Sequence, residues 1–357
     1  MSQNWMRHFE LLLTDDNGKG LSFSDFKVTF DIEWFNIKFS RVAVIKIYNL
    51  SPHTNNRILG KEFTKIRLIA GYDGIATAVG DNQVGKVTPV SAGDVGQKNG
   101  QNFGQIYSGD IRFTITGRDN PTDTYVLIQA IDGHQALLGA VVNTTLAAGY
   151  TVADLHAATM QSFDPFGVKK GITGDMPATV FPRGRVIFQS AHKVMDNISE
   201  QCGANWQIVD GLVNMVPENQ YTQEAIVLNS LTGLVGMPQQ TMGAGVNVRC
   251  LINPNIRVNG LIKLDQTSVY RAALSSHDIQ MSGGSISETK DNGNLVVNGI
   301  ASTPPASIAT DGVYIVQSIS YTGDTRGKAW YMDMMCMARG SAELQVSSAL
   351  NRSVISG

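Results

Sequence analysis

Six histidines, three cysteines and a scatter of carboxylates are the residues of this chain equipped to do chemistry. The histidines are His8, His53, His134, His156, His192 and His277. A zinc protease needs two of them at i, i+4 around a glutamate, and a structural zinc site needs short fixed His and Cys spacings. Neither pattern occurs. His156 and His192 fall on helical patterns and read as structural or solvent-facing side chains. Cys202, Cys250 and Cys336 lie far apart with no C-x-x-C pair. They are expected as buried, reduced thiols of a protein assembled in a reducing compartment. No G-x-S-x-G elbow offers a serine nucleophile. The glycine loops GNLVVNG and GDNQVG lack the Lys-Ser/Thr of a phosphate loop.

Cleavage of a cell-wall glycan would need two carboxylates paired in a cleft. Glu200, Glu218, Asp154 and Asp164 are scattered, and Glu200 reads as the solvent face of an amphipathic helix. Asp73, Asp81 and Asp94 lie in a glycine-rich stretch without the acidic ladder of a calcium loop. Arg183 and Arg185 in FPRGRV read as a solvated loop, with a carboxylate across a subunit boundary as the alternative partner. Met332, Met334, Met335 and Met337, beside Trp330 and Tyr331, read first as core packing and second as a buried subunit contact. The crowded stretch VRCLINPNIRVNGLIKLD (248–265) reads as two strands, VRCLI and IRVNGLIKLD, turned at Asn253-Pro254-Asn255. Cys250 is expected to pack inward there, and no ligand is expected. No catalytic, cofactor-binding or metal-binding residue is assigned, no cofactor is expected, and the chain reads as a non-enzyme.

Composition narrows the class. At 357 residues the chain exceeds a usual single domain. Charged residues make up 16%, against about a quarter in an ordinary soluble protein. Asn, Gln, Ser, Thr and Gly fill the polar positions instead, which suits a permanent assembly. A net charge of −2 offers no basic footprint for gripping nucleic acid. MSQNWMRHFELLL lacks the pattern of a signal peptide and no run reaches transmembrane length, so a chain soluble when made is expected.

The elements that would position these residues are mostly strands. HFELLLT, FKVTFDIEW and VAVIKIYNL alternate, the last setting Val42, Val44 and Lys46 against Ala43, Ile45 and Ile47. Ser51 and Pro52 start a short helix, and TKIRLIAGY returns as a strand. Residues 73–104 read as a long inserted loop. QIYSGDIRFTITG and DTYVLIQAIDG pair across the turn RDNPT. From Gly133 the pattern turns mixed: HQALLGA, TVADLHAATMQSF and FQSAHKVMDNISEQCG are helical, the last with Ala191, Val194, Met195, Ile198 and Cys202 as its stripe. ANWQIVDGLVNMVPE is a hairpin turning at Asp210-Gly211. TGLVGMPQQ, GVNVRCLIN, IRVNGLIKLD, GVYIVQSISYTG and KAWYMDMMCMA then read as strands. An insertion at 266–311 carries the hairpin SISETKDNGNLVVNGI.

One stretch echoes another. IYSGDIRFTITGRDNPTDTYVLIQAIDG (106–133) resembles VYIVQSISYTGDTRGKAWYMDMMCMARG (313–340), each a strand, a polar turn and an aromatic-led strand. Upstream, FSRVAVIKIYNL…TKIRLIAGY compares with GAGVNVRCLINPNIRVNGLIKLD. Two similar β-barrels around an α+β segment is the economical reading. The divisions are 1–133 (loop 73–104 inserted), 134–225, 226–340 (insertion 266–311) and a tail at 341–357. The expected fold class is mainly β with an α+β segment.

The order FKVTFDIEW, VAVIKIYNLS, IRLIAGYDG, IYSGDI, DTYVLIQAIDG resembles the N-terminal barrel of phage baseplate (tail) hub proteins. LTGLVGMPQQT, GVNVRCLINPNIRVNGLIKLD and YIVQSISYTGDTRGKAWYMDMMCMA resemble their second barrel. The match spans most of the chain apart from 76–103 and 270–310. It implies two tail-tube-like β-barrels per chain and a homotrimer forming a pseudo-six-fold ring. The implied partners are a tail tube protein above, a central spike or tail-tip protein below, and the tape measure and baseplate wedge proteins. DNA would pass only in transit, with no stable membrane insertion, in a virion assembled in the host cytoplasm. Hubs of contractile tails, of non-contractile tails and of phage-derived injection machines share this pattern. Two other classes stay open: a hub with peptidoglycan hydrolase activity, and a glycan-binding tail-tip protein. The latter would expose an aromatic-lined cleft, whereas Trp206 and Trp330 sit in strand patterns that look buried.

Overall fold

A computed structural model describes residues 7–38, 40–72, 102–217, 225–229, 232–241, 245–264 and 312–338, and only the backbone of 240–241, 284–288 and 295–299. His277, Glu218, Asp73, Asp81, Asp94 and the tail 341–357 lie outside the described residues, as does most of 73–104 and of 266–311.

The first β-rich stretch contains β1 (Arg7–Thr14), β2 (Gly20–Ser22), β3 (Val28–Phe35), β4 (Val42–Tyr48), helix α1 (Pro52–Leu59), β5 (Lys65–Tyr72), β6 (Asn102–Arg118) and β7 (Thr124–Ile131). Alternation sets the faces: Val28, Phe30, Ile32 and Trp34 of β3 are buried, while Asp31 and Glu33 between them are exposed. Ala43, Ile45 and Ile47 point inward on β4, as the sequence alternation requires. Ser51 caps α1 by accepting from the Thr54 N–H, and Pro52 occupies its first turn. β6 begins at Asn102, so the end of the stretch expected as loop is strand.

The middle stretch holds α2 (His134–Gly139), β8 (Val141–Leu146), α3 (Val152–Phe163), β9 (Lys169–Thr173), β10 (Arg185–Ser190), α4 (Ala191–Gln201), β11 (Ala204–Val209) and β12 (Leu212–Pro217). It has its own core, in which Ala191, Val194, Met195 and Ile198 of α4 pack with Phe163, Trp206 and Met215. Asp210 (φ 54°) and Gly211 (φ 76°) make the tight turn of the β11–β12 hairpin. Both are left-handed, which suits an Asp-Gly hairpin turn.

The last stretch holds β13 (Ile226–Leu228), β14 (Gln239–Thr241), β15 (Gly245–Cys250), β16 (Leu261–Leu264), β17 (Gly284–Glu288), β18 (Leu295–Gly299), β19 (Val313–Asp324) and β20 (Trp330–Ala338). β17 and β18 form the antiparallel hairpin expected in the insertion. Two expected strands are shorter than their sequences suggest. Of TGLVGMPQQ only Gln239 onward is strand in register, because Gly233 and Gly236 have positive φ and Pro238 has no N–H to donate. Of IRVNGLIKLD only Leu261–Leu264 is strand. Residues 251–260 form turns instead, with Asn253 Oδ1 accepting from the Asn255 N–H and Asn259 at φ 62°.

The chain is thus mainly β around an α+β segment. Its two outer stretches are fused: β3 pairs β19 antiparallel, from Ser318↔Phe35 to Asp324↔Thr29. The described strands of both stretches make one thirteen-stranded sheet, ordered β14-β15-β20-β19-β3-β4-β7-β6-β5-β1-β2, with β16 on β19 and β13 on β16. They also share one core, running from Leu11 and Phe30 through Ile128 to Cys250, Tyr321 and Trp330. Trp330 marks the join. Its ring meets Phe30 and Phe9 edge-on at 5.4 and 6.1 Å, and its Nε1 donates to the Gly71 carbonyl at 3.1 Å.

Candidate functional site

Within this sheet the same five-strand unit occurs twice. β3-β4-β7-β6-β5 and β14-β15-β20-β19-β16 have identical order, identical chain sequence and antiparallel pairing throughout. The ladders align residue by residue. Ile47 pairs Val126 as Cys250 pairs Met332, and Lys46 pairs Leu127 as Arg249 pairs Asp333. A bulge interrupts β6 between Ile111 and Phe113, and another interrupts β19 at the matching place between Val316 and Ser318. A cation repeats as well. Lys46 Nζ sits 4.3 Å from the Tyr125 ring, and the Arg249 guanidinium 4.2 Å from the Tyr331 ring.

The outward face of this doubled sheet carries Asp31, Glu33, Val44, Lys46, Gln129, Ser318, Ser320, Asp333 and Met335, none of them buried. Two of its cations are held by acids: Lys46 pairs Asp119 at 3.3 Å, and Arg249 grips Asp333 with two bonds of 2.6 and 2.9 Å. Lys65, Arg67 and Lys263 are exposed on the same face, where Asp31 and Glu33 supply further negative charge. Hydroxyls and amides fill the remainder. A face of this kind presents no sustained positive field to a polyanion.

A buried ionic clamp ties the three stretches together. Arg41 enters β4 almost fully buried and donates to Asp132 through Nε (3.1 Å) and Nη2 (2.5 Å). The same Nη2 reaches Asp210 of the β11–β12 turn at 2.6 Å, and Nη1 donates to the Ile106 carbonyl. Arg257 completes the clamp from the last stretch, with Nη1 2.9 Å from Asp210. The Asp210 N–H donates back to Asp132 at 2.8 Å. Trp34 and Tyr107 lie under the Arg41 guanidinium at 4.9 and 5.3 Å. Burial, reinforced by the Asp210 charge, pushes the Asp132 carboxyl up to about 6. Burial works against ionisation at Asp210 too, but Arg41 and Arg257 outweigh it and hold that carboxyl at about 2. Arg41 stays charged because Asp210 and Asp132 overcome its own desolvation.

Beside the clamp is a concavity of about 550 Å³, bounded by Trp34, Asn36, Gln105, Gln207, Asn214 and Arg257 among others. It lies between β3, the β11–β12 hairpin and the turns after Pro254. Gln207 bridges its wall, accepting from Trp34 Nε1 at 3.0 Å and donating to the Phe35 and Ile37 carbonyls. None of the described residues lining it is Ser, Thr, Cys, His or Lys. Its amides can hydrogen-bond, and the carboxylate among the lining residues, Asp210, is held by Arg41 and Arg257 in the clamp.

The residues singled out from sequence are placed apart. Asp154 closes a capping box with Thr151, Asp164 begins a turn after α3, and Glu200 pairs Lys38 at the surface. His8 stacks on Phe103 at 3.5 Å, His192 pairs Asp196, and His53 is exposed on α1. His134, half-buried, starts α2. His156 is buried, with Nε2 unbonded, and burial pushes it down to about 4, aided by the Lys170 charge. Cys250 and Cys336 are buried and Cys202 half-buried, all three free. Among the described residues no His, Cys, Asp and Glu cluster could hold a metal, and no helix is long and apolar enough to cross a membrane. Arg183 is exposed just before β10, and Arg185, expected in a solvated loop, is instead the exposed first residue of that strand, paired with Leu146. Val186 and Phe188 also project outward.

The clamp was not visible to sequence reasoning. Asp210-Gly211 read as a hairpin turn and Asp132 as part of the strand DTYVLIQAIDG, and nothing singled out Arg41. The expectation of a strand over IRVNGLIKLD is corrected at Arg257, which lies in the turns of residues 251–260 and reaches into the clamp. A charge flanked by the apolar run after Ser40 was the available signal.

No protein-family profile matches the sequence, and no curated protein matches it. Solved structures do. The 43 kDa tail protein of prophage MuSo2 from Shewanella oneidensis aligns at a TM-score of 0.50 and 8% identity, covering 93% of this chain and 99% of that one. The tail protein from Neisseria meningitidis MC58 aligns at 0.49 and 8%, covering 93% and 97%. Prophage tail protein gp18 from Listeria monocytogenes EGD-e aligns at 0.39 and 8%, covering 96% and 99%. At such identity the first likeness is one of fold: this chain has the fold of a prophage tail protein.

Proposed function

We propose that this chain is the structural hub of a phage tail, three copies forming a ring that joins a six-fold tail tube to a three-fold central spike. The observation that carries the reading is the five-strand unit used twice in one sheet. Three chains then present six near-equivalent units, which is what a six-fold neighbour requires. The divisions proposed are a first tube-like β-barrel at 1–133, an α+β part at 134–225 and a second tube-like β-barrel at 226–340. The proposed partners are the tube protein above and the spike or tail-tip protein below, with tape measure and baseplate wedge proteins around them. DNA passes in transit, and the mixed charge of the outward sheet face supports a conduit to which it does not stick. The role is non-enzymatic and the place is the virion's tail tip, assembled in the host cytoplasm.

Mass in solution together with electron micrographs of the virion tests this. A three-chain mass and a three-fold ring at the distal end of the tube are expected. A six-chain ring with one unit per chain facing the lumen would overturn the reading. So would a clear band on a peptidoglycan gel that a carboxylate substitution abolishes.

A further inference from the structure

The two units differ at one edge. In the second unit β19 serves two partners in succession on the edge facing away from β20: Val313–Ile315 pair β16, and Ser318–Asp324 then pair β3 of the first unit. In the first unit β6 makes the same first pairing, Asn102–Asp110 with β5, but among the described residues its tip then runs on without a second one. That tip is RFTITGR, in which Phe113 and Ile115 are 39% and 53% exposed. Apolar and β-branched residues on an open edge invite strand addition, and between the exposed Arg112 and Arg118 no charge or proline guards this one. Helix α1 packs near this tip, and Asn55 Nδ2 reaches Thr116 at 3.4 Å while its buried Oδ1 has no partner. At the opposite end of the sheet, β14 pairs β15 and, among the described residues, no other strand.

β14 is the counterpart of β3. We propose that the β6 tip pairs antiparallel with β14 of a second copy of this chain, repeating between chains the β19–β3 join made within one. This rests on the ring reading above and gives it a register. Ile115 faces Leu127 as Ser320 faces Asp333, and Thr241 faces Gly245 where Glu33 faces Val42. Since Ser320 pairs Glu33, Tyr321 pairs Ile32 and Thr322 pairs Asp31, the inter-chain pairs are Ile115↔Thr241, Thr116↔Gln240 and Gly117↔Gln239. Contact between different surfaces of identical chains is heterologous, and it closes into a ring when the rotation fits.

Paired cysteines in the full chain test the register. Ile115→Cys with Thr241→Cys is expected to give, on mild oxidation, disulfide-linked species up to three chains, with the three-chain mass by light scattering. Ile115→Cys with Gln240→Cys is displaced by one residue, which sends the second thiol to the other face of the sheet. It is expected to link at least tenfold less. The single variants report any linkage through Cys202, and unchanged circular-dichroism melts report intact folding. A three-chain mass without linkage of the in-register pair overturns the register and leaves the ring standing. Equal linkage by both pairs also overturns the register. A single-chain mass at every concentration overturns both.

Discussion

The two five-strand units share order, bulge and cation–aromatic pair, yet they are finished differently. Between β4 and β5 the first unit carries a capped helix, where the second has only the turns of residues 251–260. The second unit's long strand finds its final partner at the other end of its own chain; among the described residues the first unit's does not. Repeating a fold is therefore not the same as repeating its environment. The residues that differ most are those where one unit leans on something outside itself.

The heaviest test of this comparison is Trp330, which packs the join, against Thr124, which holds the same ladder position in the first unit. Trp330→Ala is expected to cost about 4 kcal/mol by denaturant unfolding, the usual loss for a buried large aromatic. Thr124→Ala, half-exposed, should cost less than about 0.5 kcal/mol. Equal losses would mean that the join is not where the outer stretches depend on each other. Next is Arg41, whose clamp joins the first unit to Asp210 of the middle stretch. Arg41→Met leaves Asp132 buried and unpaired and is expected to cost about 3 kcal/mol. Adding Asp132→Asn should restore part of it, and no recovery would count against the clamp.

The pH dependence is smaller and has a defined sign. Asp210, depressed to about 2, contributes stability above about pH 4 that is lost as pH falls toward 2. Asp132, raised to about 6, binds its proton more tightly folded than unfolded, so stability declines as pH rises from about 4 to 6. Urea midpoints are expected to peak near pH 4, each flank worth roughly 2–3 kcal/mol, and Arg41→Met should flatten the acid flank. A rise between pH 4 and 6 that Asp132→Asn leaves unchanged would refute the assignment. Smallest is the repeated cation. Lys46→Met and Arg249→Met should each cost less than about 1 kcal/mol, and by similar amounts, because both sit half-exposed on a tyrosine. A large inequality would break the residue-by-residue equivalence of the units.

Much of this was legible in the sequence where local chemistry decides. Alternation gave β3 and β4, Ser51-Pro52 gave α1, and Asp210-Gly211 gave the hairpin turn. The echo of 106–133 in 313–340 is the β6–β7 and β19–β20 pairs. What escaped is what distance decides. Nothing near Arg41 names Asp210, far along the chain, as its partner, and a strand read from pattern does not say which strand it will meet. IRVNG reads as strand by composition, but Asn259 adopts a left-handed conformation that ends any ladder there.

The β3–β19 join also sets a timetable. The ribosome delivers β3 roughly 290 residues before its partner. At about 5–20 residues per second, the Val28–Phe35 edge waits roughly a quarter of a minute to a minute for β19. Throughout that interval the nascent chain displays an unfinished strand to its neighbours on the same message. Contacts so distant in sequence close slowly, since loop entropy is lost before they form. The last-made hairpin is therefore the latch of the whole fold, and a chain cut short before Val313 should accumulate as aggregate rather than as a smaller soluble domain.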